Sequence, residues 1–95
     1  MKDIEKLSGG RPVAIVGAGL VGSGWAIVHA RAGLKVQVFD TNPEITRKAI
    51  PLIEGQLNGL HRHGLVDEDP ATILARITPV TTLAEAIEGA FYVQE

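Results

Sequence analysis

Ninety-five residues suffice for one domain, burying about 60 to 65% of the surface its unfolded chain exposes, and exclude a second core. Nine Lys and Arg against eleven Asp and Glu leave a net charge of -2 with no run of like charge, which argues against nucleic acid and anionic membrane as partners. The absence of cysteine excludes disulfides and thiolate zinc sites, and no apolar run reaches the roughly 18 residues that span a bilayer. Met1 to Pro12 is too charged for the apolar core of a signal peptide, so a soluble cytoplasmic protein is expected.

Residues 1–11 carry Lys2, Asp3, Glu5 and Lys6 and lead into Ser8-Gly9-Gly10, a polar arm ahead of a domain over residues 12–95. Pro12 to Val16 is continuously apolar, the mark of a parallel strand covered on both faces. A helix is predicted from about Leu20 to Ala32, with Gly22, Ala26 and Ala30 as a small-residue stripe toward the sheet and Gly33 closing it. Trp25 and His29 lie one turn apart in it and read as packing plus a solvated or satisfied histidine, not binding. Lys35 to Phe39 is the second strand, parallel to the first because a helix separates them.

Asn42 as cap, Pro43 at the first position and Glu44 beside the helix dipole open a long helix with Ile50, Ile53, Leu57 and Leu60 on its apolar face. Pro51 lacks the N–H that the helix interior needs, so a kink or break is predicted near Arg47 to Pro51. Beyond Gly64, Asp69-Pro70 starts a short helix to about Ala75, and Ile77 to Val80 forms a strand that Pro79 confines to a sheet edge. Thr82 and Glu85 make a capping box before a last short helix ended by Gly89, and Phe91 to Glu95 is the fourth strand. Right-handed crossovers give the order 3-2-1-4, the N-terminal part of a Rossmann-type doubly wound parallel α/β sheet. Two further strands usually lie beyond the fourth, so the chain is expected to be a piece of a larger enzyme with an open edge there.

Gly17, Gly19 and Gly22 stand in the spacing G-x-G-x-x-G between the first strand and the first helix, and the second strand ends on a carboxylate, Asp40. In a nucleotide-binding βαβ unit the first glycine makes the tight turn, the second lets a pyrophosphate approach the backbone, and the third lets helix and strand pack closely. The phosphates then face the free N–H groups at the helix start. Asp40 is expected to accept from the adenosine ribose hydroxyls and to repel a 2′-phosphate, favouring NAD over NADP. No Lys or Arg follows within six residues, and Arg47 and Lys48 come a turn into the next helix.

His61 and His63, two apart at a helix end, point in different directions and make no metal pair, and Asp67-Glu68-Asp69 lacks the length and glycine of a calcium loop. Glu54, Glu85 and Glu88 fall on outer helix faces, so no catalytic set is expected among these residues.

The stretch Val13-Ala14-Ile15-Val16-Gly17-Ala18-Gly19-Leu20-Val21-Gly22, with Ala32-Gly33-Leu34-Lys35-Val36, Phe39-Asp40, Leu83-Ala84-Glu85-Ala86 and Tyr92-Val93-Gln94-Glu95, resembles the NAD-binding domain of the 3-hydroxyacyl-CoA dehydrogenase family over residues 12–95. Gly24-Trp25-Ala26 and Val93-Gln94-Glu95 lean toward the branch containing lambda-crystallin and L-carnitine dehydrogenase. The resemblance implies an oxidoreductase, in the orbit of fatty acid metabolism, that moves hydride between NAD and the 3-hydroxyl of a 3-hydroxyacyl-CoA or small hydroxy acid. It implies cofactor contacts at Gly17, Gly19, Leu20, Val21, Gly22 and Asp40. In the family a His-Glu dyad and a helical domain that shapes the substrate pocket and a dimer follow this region, so the 95 residues alone are expected to be inactive. Substrate would then engage only the full-length enzyme, and a homo-oligomer is a further expectation. The competing reading is a non-catalytic nucleotide-binding or structural module completed by another chain.

Overall fold

A computed structural model describes residues 9–95, and the part of the polar arm over residues 1–8 lies outside the described residues. The apolar Val13–Val16 forms strand β1, whose Val13, Ala14 and Ile15 are shut from solvent because both faces of the strand are covered. There follow helix α1 (Leu20–Arg31), β2 (Val36–Phe39), α2 (Pro43–Arg62), α3 (Pro70–Leu74), β3 (Ile77–Pro79), α4 (Leu83–Ile87) and β4 (Tyr92–Gln94). The four strands are parallel in the order β3-β2-β1-β4, as the sequence predicts. Val13 pairs in register with Val36 and Tyr92, and Ile15 with Val38 and Gln94.

Side chains alternate across a strand, so the register sorts them by face. Val13, Ile15, Val36, Val38 and Ile77 join one core with Ala26, Ile27 and Ala30 of α1, Ile53 and Leu57 of α2, and Ile73 of α3. The opposite face presents Ala14 and Gln37 to α4, whose Ala86 is fully buried. With its amide oriented so that the NH2 meets acceptors, Gln37 donates to the carbonyls of Glu85 and Ala86, both at 2.9 Å. The path runs outward from β1 to β3 and then jumps back to β4, which sends α1 and α2 to one face and α4 to the other. The carboxyl ends of β1 and β4 therefore flank a topological switch point.

Of the kink or break predicted near Arg47 to Pro51, the break does not occur. The helix runs through Pro51 unbroken from Pro43 to Arg62. Pro51 sits on the exposed side of α2, where a lost helix hydrogen bond costs least because the freed carbonyl is open to solvent, while Ala49, Ile53 and Leu57 anchor the opposite side in the core. Ile50 and Leu60, expected on the apolar face, are only partly buried against the core.

Candidate functional site

The loop after β1 is built by its three glycines in three different ways. Gly17 has φ +107°, a region that a Cβ disfavours, and its N–H donates to the Phe39 carbonyl at 2.7 Å. At Gly22 a Cβ would lie 1.6 Å from the Gly17 carbonyl oxygen, so α1 and the end of β1 touch with no room for a methyl group. Gly19 needs neither: its φ is -74° and a Cβ there would meet nothing within 4 Å. What its missing side chain preserves is open space beside the backbone.

Two further residues fix the loop. Ser23 is buried; its N–H donates to the Gly19 carbonyl at 2.8 Å and its Oγ to the Ala18 carbonyl at 3.2 Å. Asp40 accepts from the Ala18 N–H through Oδ2 at 3.0 Å and from the Asn42 N–H through Oδ1 at 2.8 Å. The carboxylate thus makes a turn and also ties the end of β2 to the glycine loop. Thr46, buried on α2, holds Asp40 in turn: its Oγ1 accepts from the Asp40 N–H at 3.0 Å and donates to the Asp40 carbonyl at 3.2 Å.

Helix α1 starts here without a side-chain cap and with no acid in its first turn. The others are capped, α2 by Asn42, α3 by Asp69 and α4 by Thr82. The first turn of α1 therefore keeps N–H groups and a positive dipole end available to an anion.

Two clefts open on either side of this loop. One, of about 360 Å³, lies at the switch point between the glycine loop, Leu20, Val21 and Trp25 on one side and Gln94 and Glu95 on the other. The other, of about 600 Å³, lies past the ends of β2 and β3, with Asp40, Thr41, Arg47, Pro79 and Thr81 among its walls. The Leu20 and Val21 side chains are 71% and 77% exposed at the first cleft, an unfavourable place for apolar groups with nothing against them.

Trp25 stacks on His29 with ring centroids 6.1 Å apart, and His29 meets Tyr92 at 5.8 Å. The imidazole packs, but it is neither solvated nor satisfied as a packing histidine is expected to be: its Nε2 is buried without a hydrogen-bond partner among the described residues, and burial holds its pKa below the usual histidine value. Trp25 does more than pack, since its indole reaches the cleft wall. His61 and His63 are exposed at the end of α2, as are Glu54, Glu85 and Glu88 on their helices. Among the described residues no group of three or more His, Asp or Glu converges as a metal site, and neither cleft beside the loop has a histidine on its walls.

The model of the 3-hydroxyacyl-CoA dehydrogenase NAD-binding domain matches residues 12–95. The chain belongs to this family. The lambda-crystallin homolog of Bos taurus is 35% identical to this NAD-binding domain over 85 residues, 87% of this chain and 26% of that protein. The L-carnitine dehydrogenase/betainyl-CoA thioesterase of Agrobacterium fabrum is 34% identical over 83 residues, 87% of this chain and 16% of its own. Among solved structures, (S)-3-hydroxybutyryl-CoA dehydrogenase from Ralstonia eutropha superposes with a TM-score of 0.69 at 34% identity, covering 79% of this domain and 27% of that chain. The domain thus spans about a quarter or less of the length of these relatives. The two branch members that the sequence pointed to are both among them, and the family's cofactor is NAD.

Sequence reading singled out the glycines and Asp40, which the fold brings together around the loop after β1, but not Ser23, Thr46, Arg47, Trp25 or Gln94, which lie beside them. Ser23 and Thr46 left one signal, a hydroxyl on the inward side of a helix, where a polar group needs a specific partner.

Proposed function

We propose that Gly17, Gly19, Gly22, the first-turn backbone of Leu20 and Val21, and Asp40 hold NAD, and that the whole enzyme moves hydride between it and the 3-hydroxyl of a 3-hydroxyacyl-CoA or small hydroxy acid. The observation that carries this reading is the uncapped start of α1, set beside the open space at Gly19 and one loop away from the Asp40 carboxylate. A pyrophosphate fits there because its charge meets the dipole end and unpaired amides, with no side chain at Gly19 in its way. Each Asp40 oxygen spends one lone pair on a backbone N–H and keeps another for a ribose hydroxyl. The cleft past β2 and β3 then takes the adenine, and the cleft at the switch point takes the nicotinamide half.

Bound NAD supplies the hydride acceptor, and the domain's own residues bind and orient it. Neither cleft has a histidine on its walls among the described residues, which supports the reading that these 95 residues bind cofactor and that proton transfer belongs to the rest of the enzyme.

The single tryptophan, Trp25, lies on the cleft wall and reports occupancy. Titrating NADH is expected to quench its emission, and Gly19→Val is expected to weaken binding by at least about tenfold, or 1.4 kcal/mol, without lowering the melting temperature. A Gly19→Val variant that binds NADH like the unaltered protein would sink the proposal.

A further inference from the structure

In sequence, Arg47 stands apart from Asp40, separated from it by the start of α2. The fold brings it back, since Arg47 lines the same cleft as Asp40 and Thr41. An arginine in that position is the group that accommodates a 2′-phosphate in NADP-binding sites, because guanidinium is permanently charged and matches phosphate oxygens in pairs. Here the guanidinium is already engaged: Arg47 donates to Glu44 Oε2 at 2.5 Å, three residues back on the same side of the helix. The Glu44 backbone is held by Asn42, whose Oδ1 accepts from the Glu44 N–H at 3.0 Å, and the Glu44 charge is favoured in the first turn of α2.

We propose that Glu44 is a specificity-determining residue that excludes NADP by neutralising Arg47. Asp40 repels the 2′-phosphate directly, and Glu44 withholds the cation that would offset that repulsion. This inference rests on the NAD site proposed above. Both side chains are mostly exposed, at 70% for Arg47 and 59% for Glu44, so the pair is hydrated and its influence is several-fold, not absolute.

The test compares the unaltered protein with Glu44→Gln, Arg47→Gln and the double variant, each titrated with NADH and then with NADPH as competitor. Glu44→Gln is expected to improve NADPH competition relative to NADH by about two- to fivefold, and the gain is expected to vanish in the double variant. It is also expected to shrink at 0.5 M salt, where roughly 4 Å of screening length separates charges that act freely at low salt. If NADH binds but Glu44→Gln competes no better with NADPH, or gains equally without Arg47, the role of Glu44 is refuted while the NAD site stands. If the unaltered protein fails to bind NADH, the site reading itself falls and takes this inference with it.

Discussion

Replacing Asp40 by Asn probes the join between the second strand and the glycine loop with almost no change in shape. The carboxylate accepts two backbone N–H groups with two different oxygens, from Ala18 at 3.0 Å and Asn42 at 2.8 Å. A carboxamide has one oxygen. Whichever way it turns, its NH2 faces one of the two donors, and a donor against a donor is worse than a lost bond. Leaving a partly buried N–H unmet costs about 1 to 3 kcal/mol, and the Asn42 contact is solvent-exposed, so the lower part of that range, about 1 to 2 kcal/mol, applies. For a domain of this size that lowers the melting temperature by about 4 to 16 °C. Asp40→Ala removes both acceptors, leaving the Asn42 N–H to water and the partly buried Ala18 N–H unmet, and is expected to be at least as destabilising as Asn. Both are expected to weaken NADH binding by about tenfold or more through the ribose hydroxyls. Thermal unfolding followed by circular dichroism, with NADH titration alongside, measures both. An Asn variant with unaltered melting temperature and NADH affinity would refute the two-acceptor role.

Gly22→Ala drives a methyl group into the Gly17 carbonyl and is expected to cost at least about 4 kcal/mol, seen as loss of the cooperative unfolding transition. Pro51→Ala restores a helix donor in α2 at the price of a freer unfolded chain, for a net gain of about 1 to 2 kcal/mol and a higher melting temperature. Burial disfavours the charged form of His29 in the folded state, so its contribution to stability is complete above about pH 6.5 and declines as pH falls through its lowered folded pKa; His29→Phe is expected to flatten the melting temperature between pH 7.5 and 5.5. Glu68 and Glu85 are held below the usual carboxylate range, Glu68 by its bonds from Arg76 and Glu85 by the Thr81 and Thr82 hydroxyls. Their contribution is present above pH 4.5 and lost as pH falls through the lowered values, so Glu68→Gln is expected to blunt the acid limb of the stability curve.

The fold was legible because its signals are local. Asn42, Asp69 and Thr82 announce their helices by capping chemistry, and the unbroken apolar run of β1 declares a strand buried on both faces. Pro51 shows where a local rule yields: its missing hydrogen bond lies on the wet side of α2, and the packed residues beside it outweigh the defect. The glycines and Asp40 were legible for the same reason, being fixed by spacing. Arg47 and Trp25 were not, since whether a helix residue faces a cleft depends on how α1 and α2 are rotated against the sheet. Trp25 stands a turn after Val21, where a helical period alone does not separate a core position from a cleft wall.

The peptide group of Ala18 is gripped from both ends, its N–H by Asp40 and its carbonyl by Ser23. On the NAD site proposed above, a loop held this way is ordered before a dinucleotide arrives, so little ordering entropy is expected to be lost on binding. Capture is then expected to be a single encounter with a preformed loop. Its rate rises in proportion to cofactor concentration, without the plateau that a slow closing step would impose.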